Sequence, residues 1–406
     1  MRILWISDSP EMQQVGQSRV GREFCYRFAE AGLDVHVAGY IPPTHQENKT
    51  NEIKSFKVHD CQRYDTEATV RICKAVKPNI IVLSHDPFMY KCVEEIRKAL
   101  KDTVSIVGYF TIDGDPIPHV FKDIFYACDH VVLPSEYGQR VVTERFFDLS
   151  TSVIPYGVNM NSYNCADKAE AKKGLKKLLR FGLEHVDFEN KLIFTYVGNN
   201  QGRKNVGVAR DAFKEFVKGK EKDVMFLLAM KSVILTEGDF SFMGFYDLNE
   251  FEHSNIRVAG FFLKDEIVAN LYKVSDFLVH PSIGEGFGLT LMEAMASRCV
   301  PITTNYSAMT DFCHDENTLL LDDFVLMRGE FDVHRAIVTN QCMFNAFDQA
   351  YDLWKNDQEA LKEMQEAGVK TANQYDWDDS AQMFMKLFQE LQLKKINKNQ
   401  FEVVRV

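Results

Sequence analysis

Short, nearly continuous apolar runs alternate with amphipathic segments, and this alternation restricts the chain to very few folds. RILWIS (2–7), LDVHVAGY (33–40), NIIVLSH (79–85), VSIVGYFTI (104–112) and HVVLPS (130–135) are runs of this kind. Strands that are apolar on both sides belong to parallel sheets covered on both faces. Between them, SRVGREFCYRFAEA (18–31) and EYGQRVVTERFF (136–147) carry helical spacing. Repeated strand–helix–strand units build a doubly wound α/β sheet.

The strand signal stops at IPYGVNMNSYN (154–164), and a lysine-rich stretch follows, DKAEAKKGLKKLLRFGLEH (167–185). A solvated linker helix is the simplest account of it. The alternation then restarts with KLIFTYVG (191–198), DVMFLLAM (223–230), NIRVAGFF (255–262), DFLVHPS (276–282) and CVPITTN (299–305). The expected architecture is α/β, with two Rossmann-like doubly wound domains facing a cleft. The expected domains are residues 1–165 and 186–375, joined by a linker over 166–185. The last ~70 residues read as helices. WDDSAQMFMKLFQELQ (377–392) is one of them, with Asp378 or Asp379 as its expected N-cap. Ligands of such folds bind at C-terminal strand ends and at domain interfaces.

Composition narrows the partners. The chain has 406 residues and a net charge of −11, from 47 Lys+Arg and 58 Asp+Glu. So acidic a chain is a poor general nucleic-acid binder, although a local pocket can still hold a small anion. No apolar run reaches the ~18 residues of a membrane span. Nine scattered cysteines without a CxxC pair suggest reduced thiols and a cytoplasmic protein.

HPSIGEGFGLTLMEAMASRCVP (280–301) is the most informative stretch. It follows a strand and opens a helix near Leu289. Gly284, Gly286 and Gly288 allow a tight turn and close backbone approach to a ligand. The helix N-terminus is a natural phosphate seat. Glu285 and Glu293 bracket the turn. A dinucleotide fingerprint fits poorly, because Leu291 stands where a third Gly or Ala is wanted. A nucleotide-sugar seat and a simple tight turn with two incidental glutamates remain open.

A second loop, YVGNNQGRKNVG (196–207), ends the first strand of the second half. Arg203 and Lys204 place two cations before a helix, which suits a diphosphate clamp. A third loop, VAGFFLKDE (258–266), offers Phe261 and Phe262 as core or as neighbours of a base. In the first half, DSPEMQQVGQSRVG (8–21) lacks the Gly-Lys-Ser/Thr of a Walker P-loop. Asp113-Gly114-Asp115 spells a metal-binding DxD, but in the half away from the donor seat, so no metal is expected. His85 and His119 are two further pocket candidates.

E-G-F-G-L-T-L-M-E-A-M-A resembles the glutamate–seven residues–glutamate signature of retaining glycosyltransferases of family 4, which have the GT-B fold. VAGFF, HPS, IPYGVN and the late tryptophan helix fall in the family's order, so the resemblance spans most of the chain. It implies that Glu285 contacts the donor sugar and Glu293 the ribose. Backbone groups of Gly286, Phe287 and Gly288, with Leu289 opening the helix, would hold phosphate and sugar. Arg203 and Lys204 would stabilise the leaving diphosphate, with Asn199 where relatives usually carry arginine. Val258, Gly260 and Phe261 would lie at the base. Gly16 and Gln17 would face the donor from a glycine loop, and Asp113 stands where relatives often have histidine. The helix 376–392 would pack back on the first domain.

The implied activity transfers a hexose from a GDP- or UDP-sugar, GDP-mannose among the candidates, to a hydroxyl of a glycan or other acceptor. No cofactor or metal is implied, and peripheral membrane contact is compatible with it. A sugar phosphorylase on the same fold and a non-catalytic nucleotide-sugar binding subunit are the alternatives.

Overall fold

The computed structural model describes residues 1–12, 16–41, 55–173, 188–231, 246–259 and 264–403. Its contacts divide the chain into two units. Unit 1 takes in the described residues of Met1–Ile112, Ile117–Gly157 and Asp376–Val406; unit 2 takes in those of Asp113–Pro116 and Val158–Tyr375.

Unit 1 is built on β1 (Arg2–Asp8), β2 (Asp34–Tyr40), β3 (Lys57–Cys61), β4 (Ile80–His85), β5 (Ser105–Phe110), β6 (His130–Leu133) and β7 (Thr151–Val153). They form one parallel sheet in the order β3-β2-β1-β4-β5-β6-β7. The five strands expected from apolar runs are its centre. The edge strands β3 and β7 escaped that reading because KVHDC and TSV are short and only partly buried. An edge strand has one neighbour fewer and needs less apolar surface.

The helix Trp377–Val403 belongs to unit 1. Phe384 packs edge-on against Trp5, Phe24, Phe28 and Tyr109, with ring centroids 4.9–6.1 Å apart. Its cap differs from expectation. Asp376 Oδ1, not Asp378 or Asp379, accepts from the backbone N–H groups of Asp378 (2.6 Å) and Asp379 (3.3 Å). The helix already starts at Trp377, so the capping carboxylate must precede it.

Unit 2 carries β8 (Leu192–Asn199), β9 (Val224–Lys231), β10 (Ile256–Ala259), β11 (Phe277–His280), β12 (Val300–Thr304) and β13 (Leu319–Leu321). Its parallel sheet runs β10-β9-β8-β11-β12-β13. The chain leaves β8 for one side of the sheet and later returns to the other side at β11. The loops after these two adjacent strands therefore open at the point where strand order reverses. Phe194, Phe213, Phe216 and Phe347 fill the core beneath. An antiparallel hairpin, β14 (Phe324–Arg328) and β15 (His334–Val338), precedes two helices, Asn340–Asn356 and Gln358–Ala372.

The described start of the lysine-rich stretch is less solvated than its composition suggests. Residues 174–187 lie outside the described residues, but Lys168–Lys173 is a helix of unit 2. Lys172 is buried, 2.8 Å from Asp276. Lys168 donates to the Tyr272 carbonyl at 2.8 Å. These two lysines are structural cations, not a solvated face.

Candidate active site

After β8 the chain makes a single 3-10 turn, Gly202–Lys204, and enters the helix Val206–Phe216 through Asn205 in the left-handed region (φ 50°). After β11 it passes through the glycine turn into the helix Leu289–Ala296, entered at Gly288 with φ 103°. That angle is one L side chains rarely adopt.

The two turns are stitched together by their backbones. The Ile283 N–H donates to the Arg203 carbonyl at 3.0 Å, and the Ser282 hydroxyl reaches the same carbonyl at 3.4 Å. Ser307 Oγ accepts from the Glu285 N–H at 2.9 Å.

This framework gathers charge around one carboxylate. Lys204 Nζ donates to Glu285 Oε1. Arg203 Nη1 lies 3.5 Å from the same oxygen and donates to the Gly284 carbonyl at 3.3 Å. His280 Nε2 is 3.4 Å away, while its Nδ1 lies 3.1 Å from Thr303 Oγ1. Burial alone would raise the Glu285 pKa, but Lys204, Arg203 and His280 hold it well below the ordinary carboxylate range. Burial pulls Lys204 below its usual value, against the opposing charge of Glu285. Burial likewise lowers His280, which favours the neutral ring.

Asp113 arrives from far away in sequence. Residues Asp113–Pro116 group with unit 2, although sequence order puts them in the first half. The Asp113 carboxylate receives Arg335 Nη2 at 2.8 Å. The Asp115 carbonyl accepts from the His334 N–H at 2.8 Å. A Cβ on Gly284 would lie 2.1 Å from the Asp113 carbonyl oxygen, so this glycine admits the segment. Asp113 is thus an ion-pair partner. Among the described residues no three His, Cys, Asp or Glu side chains gather into a metal-binding group.

The remaining candidates sit as follows. Glu293 is buried in the helix Leu289–Ala296, which Leu289 opens. Gly286 is buried in the turn. The Phe287 ring packs on Phe312 and Tyr375, so its side chain is core. Asn199 ends β8, and Val258 is half-buried in β10. Gly260 and Phe261 lie outside the described residues. Gly16 and Gln17 open the helix Gly16–Glu30 of unit 1. His119 is exposed. His85 ends β4, with ring nitrogens 3.5 Å from Asp8 and 3.4 Å from Asp86.

Sequence reasoning missed three members of the cluster. His280 stood in the quoted HPS segment, but nothing local shows that its ring turns toward Glu285. Ser307 holds the turn through a side chain 22 residues on. Arg335 lies on a hairpin strand that the apolar pattern did not reveal. Chemically, the cluster offers an ionised carboxylate that can accept from hydroxyls and two cations that can meet a phosphate.

Residues 191–325, which hold Arg203, Lys204, Glu285 and Glu293, match the family model described as glycosyl transferases group 1. A glycogen synthase of Finegoldia magna is 24% identical over 233 residues, 57% of this chain and 44% of the relative. A UDP-Gal:alpha-D-GlcNAc-diphosphoundecaprenol alpha-1,3-galactosyltransferase of Escherichia coli is 25% identical over 209 residues, 50% of this chain and 48% of the relative. The chain thus spans about half the length of these curated relatives. Among solved structures, sucrose-phosphate synthase from Thermosynechococcus elongatus aligns with a TM-score of 0.74 at 16% identity, over 96% of this chain and 98% of that one. Anabaena HepE, solved in complex with UDP and glucose, aligns with 0.71 at 12% identity, over 96% and 100%. The fold is of GT-B type, as the resemblance implied, and has the two doubly wound α/β units that the alternating pattern led one to expect. Among the described residues no helix is long and apolar enough to cross a membrane.

Proposed function

We propose that the chain is a retaining glycosyltransferase of family 4 that moves a hexose from a GDP- or UDP-sugar to a hydroxyl of a glycan or other acceptor. The observation that carries this reading is the buried Glu285 carboxylate, met by Lys204, Arg203 and His280 at the strand-order reversal of unit 2. The match of residues 191–325 and the UDP and glucose held by HepE support it.

In this mechanism Lys204 and Arg203 meet the diphosphate as the sugar–oxygen bond breaks and negative charge grows on the leaving oxygen. The acceptor oxygen forms the new bond on the same face and gives its proton to the departing phosphate. Glu285 accepts hydrogen bonds from the sugar hydroxyls, and Glu293 serves the ribose. Backbone groups of Gly286, Phe287, Gly288 and Leu289 complete the seat. Asn199, Val258, Gly260 and Phe261 line the nucleotide, and Gly16 and Gln17 belong to the glycine loop. Asp113, held by Arg335, stands beside the reacting sugar in place of histidine. The reaction needs no metal, and the chain works in the cytoplasm.

A panel of UDP- and GDP-sugars tests the reading by thermal shift, because a true donor raises the melting point as RT ln(1 + [L]/Kd). NMR of the product anomer then tests retention, and assay in EDTA tests metal independence. A panel in which no nucleoside diphosphate binds overturns the assignment.

A further inference from the structure

Among the described residues, little covers the outer strand of the hairpin of unit 2. β15 is anchored on its far side, since the Ala336 N–H donates to the Ile283 carbonyl and the His334 N–H to the Asp115 carbonyl. β14 pairs with β15 alone, and the sheet has two strands among the described residues. Val325 is 61% exposed, Leu326 51% and Met327 37%, and nearby Phe331 is 59% exposed. Natural edges are usually blunted by charge, proline or a bulge, because unpaired backbone groups beside apolar side chains template another strand. Within Phe324–Arg328 the only charge is the terminal Arg328.

The residues around this edge complement themselves. Asp322-Asp323-Phe324-Val325-Leu326-Met327-Arg328 is acidic at one end and basic at the other. Laid antiparallel on a copy of itself about Val325, it puts Asp322 opposite Arg328 of the copy and Phe324 opposite Leu326 of the copy. Within its own chain Asp322 accepts from Asn305 Nδ2 at 2.7 Å and exposed Arg328 lies 3.5 Å from Asp332, so the cross-copy pair adds to these contacts. Opposed residues of an antiparallel pair lie on the same face, where opposite charges and apolar pairs both stabilise. The symmetry supplies each pair twice.

We propose that this edge joins two copies of the chain, β14 pairing antiparallel with β14 about Val325, so that the two hairpins make one four-stranded sheet. A lipid surface is the less favoured occupant. Asp322, Asp323 and Asp332 flank the apolar residues, and the chain's net charge of −11 repels anionic headgroups. A single strand edge buries less than the ~1,200 Å² of a standard interface, so the dimer is a reversible one. Two additional strands also extend a hairpin that alone would be marginal.

Sedimentation velocity of the full chain from about 1 to 100 µM tests this, a range chosen for a weak interface. A concentration-dependent monomer–dimer equilibrium is expected. Leu326→Lys abolishes it, with an unchanged circular dichroism spectrum. Arg328→Asp and Asp322→Arg each weaken it about tenfold or more, since each sets like charges face to face twice. The double variant Asp322→Arg/Arg328→Asp restores association, because swapping both charges recreates the pairs. A chain that stays monomeric throughout overturns the proposal. So does a dimer insensitive to these changes, or a double variant no better than the singles. Monomers that instead co-sediment with phosphatidylserine vesicles through Leu326 assign the edge to a membrane and also overturn it.

Discussion

Lys204 and Glu285 lie 81 residues apart in sequence, yet the lysine ammonium donates directly to the glutamate carboxylate. The pair ties the turn after β8 to the glycine turn after β11. It is largely shielded from solvent, so each charge depends on the other for compensation.

Lys204→Met is expected to lower kcat about 100-fold, the usual consequence of removing one transition-state charge partner. It also removes one partner of a buried pair, which typically costs ~3–5 kcal/mol, with Arg203 softening the loss. Steady-state kinetics and urea unfolding measure the two effects. A variant that raises KM alone makes the lysine a ground-state clamp.

Glu285→Gln is expected to reduce sugar transfer at least tenfold, in line with ~1.5–3 kcal/mol for lost charge-assisted hydrogen bonds. Binding of the free nucleoside diphosphate should not weaken, because Lys204 and Arg203 remain to meet it and lose a competing carboxylate. Glu293→Gln should weaken the nucleotide itself. Isothermal titration with UDP and GDP, set beside turnover, separates them. Wild-type transfer in both variants removes the main support for the glycosyltransferase reading.

Gly284→Ala places a methyl where the Asp113 carbonyl stands, 2.1 Å away. The segment Asp113–Pro116 must then move, at ~1–3 kcal/mol for an overpacked contact. A lower melting temperature together with lost activity is expected. An unchanged melting point would show that the segment yields freely.

His85 supplies a pH signature in unit 1. Burial and the Asp86 backbone N–H, which donates to Nδ1 at 2.7 Å, oppose protonation, but the side-chain hydrogen bonds and charges of Asp8 and Asp86 lift its pKa to about 9. A raised pKa stabilises the fold below the ordinary value of ~6.5, and the contribution is lost as pH climbs through about 9. Wild type should therefore lose more stability than His85→Gln between about pH 7 and pH 10, read from urea midpoints. Parallel losses in the two proteins argue against the ion pair.

Phe384→Ala tests the anchoring of the last helix. The ring meets Trp5, Phe24, Phe28, Tyr109 and Phe388. Its removal should cost ~3–5 kcal/mol. Circular dichroism melting checks this, and a loss below about 1 kcal/mol would mean that the helix is held elsewhere.

Local pattern alone determined the central strands of both sheets, the glycine turn and the helix start at Leu289. Apolar runs covered on both faces and a glycine in the left-handed region leave their mark within a few residues. Pattern alone also put Arg203, Lys204 and Glu285 at strand ends. What it left undecided is which of these charges meet. The adjacency of β8 and β11 brings Lys204 to Glu285. The Asp113–Arg335 pair spans 222 residues. Packing set Lys172 against Asp276 in the interior, and β14 is an exposed edge because, among the described residues, only β15 lies beside it. Strand order, burial and charge pairing are long-range outcomes of packing. A short window of sequence carries the propensity of each segment but not the identity of its neighbour, so only the tertiary structure decided them.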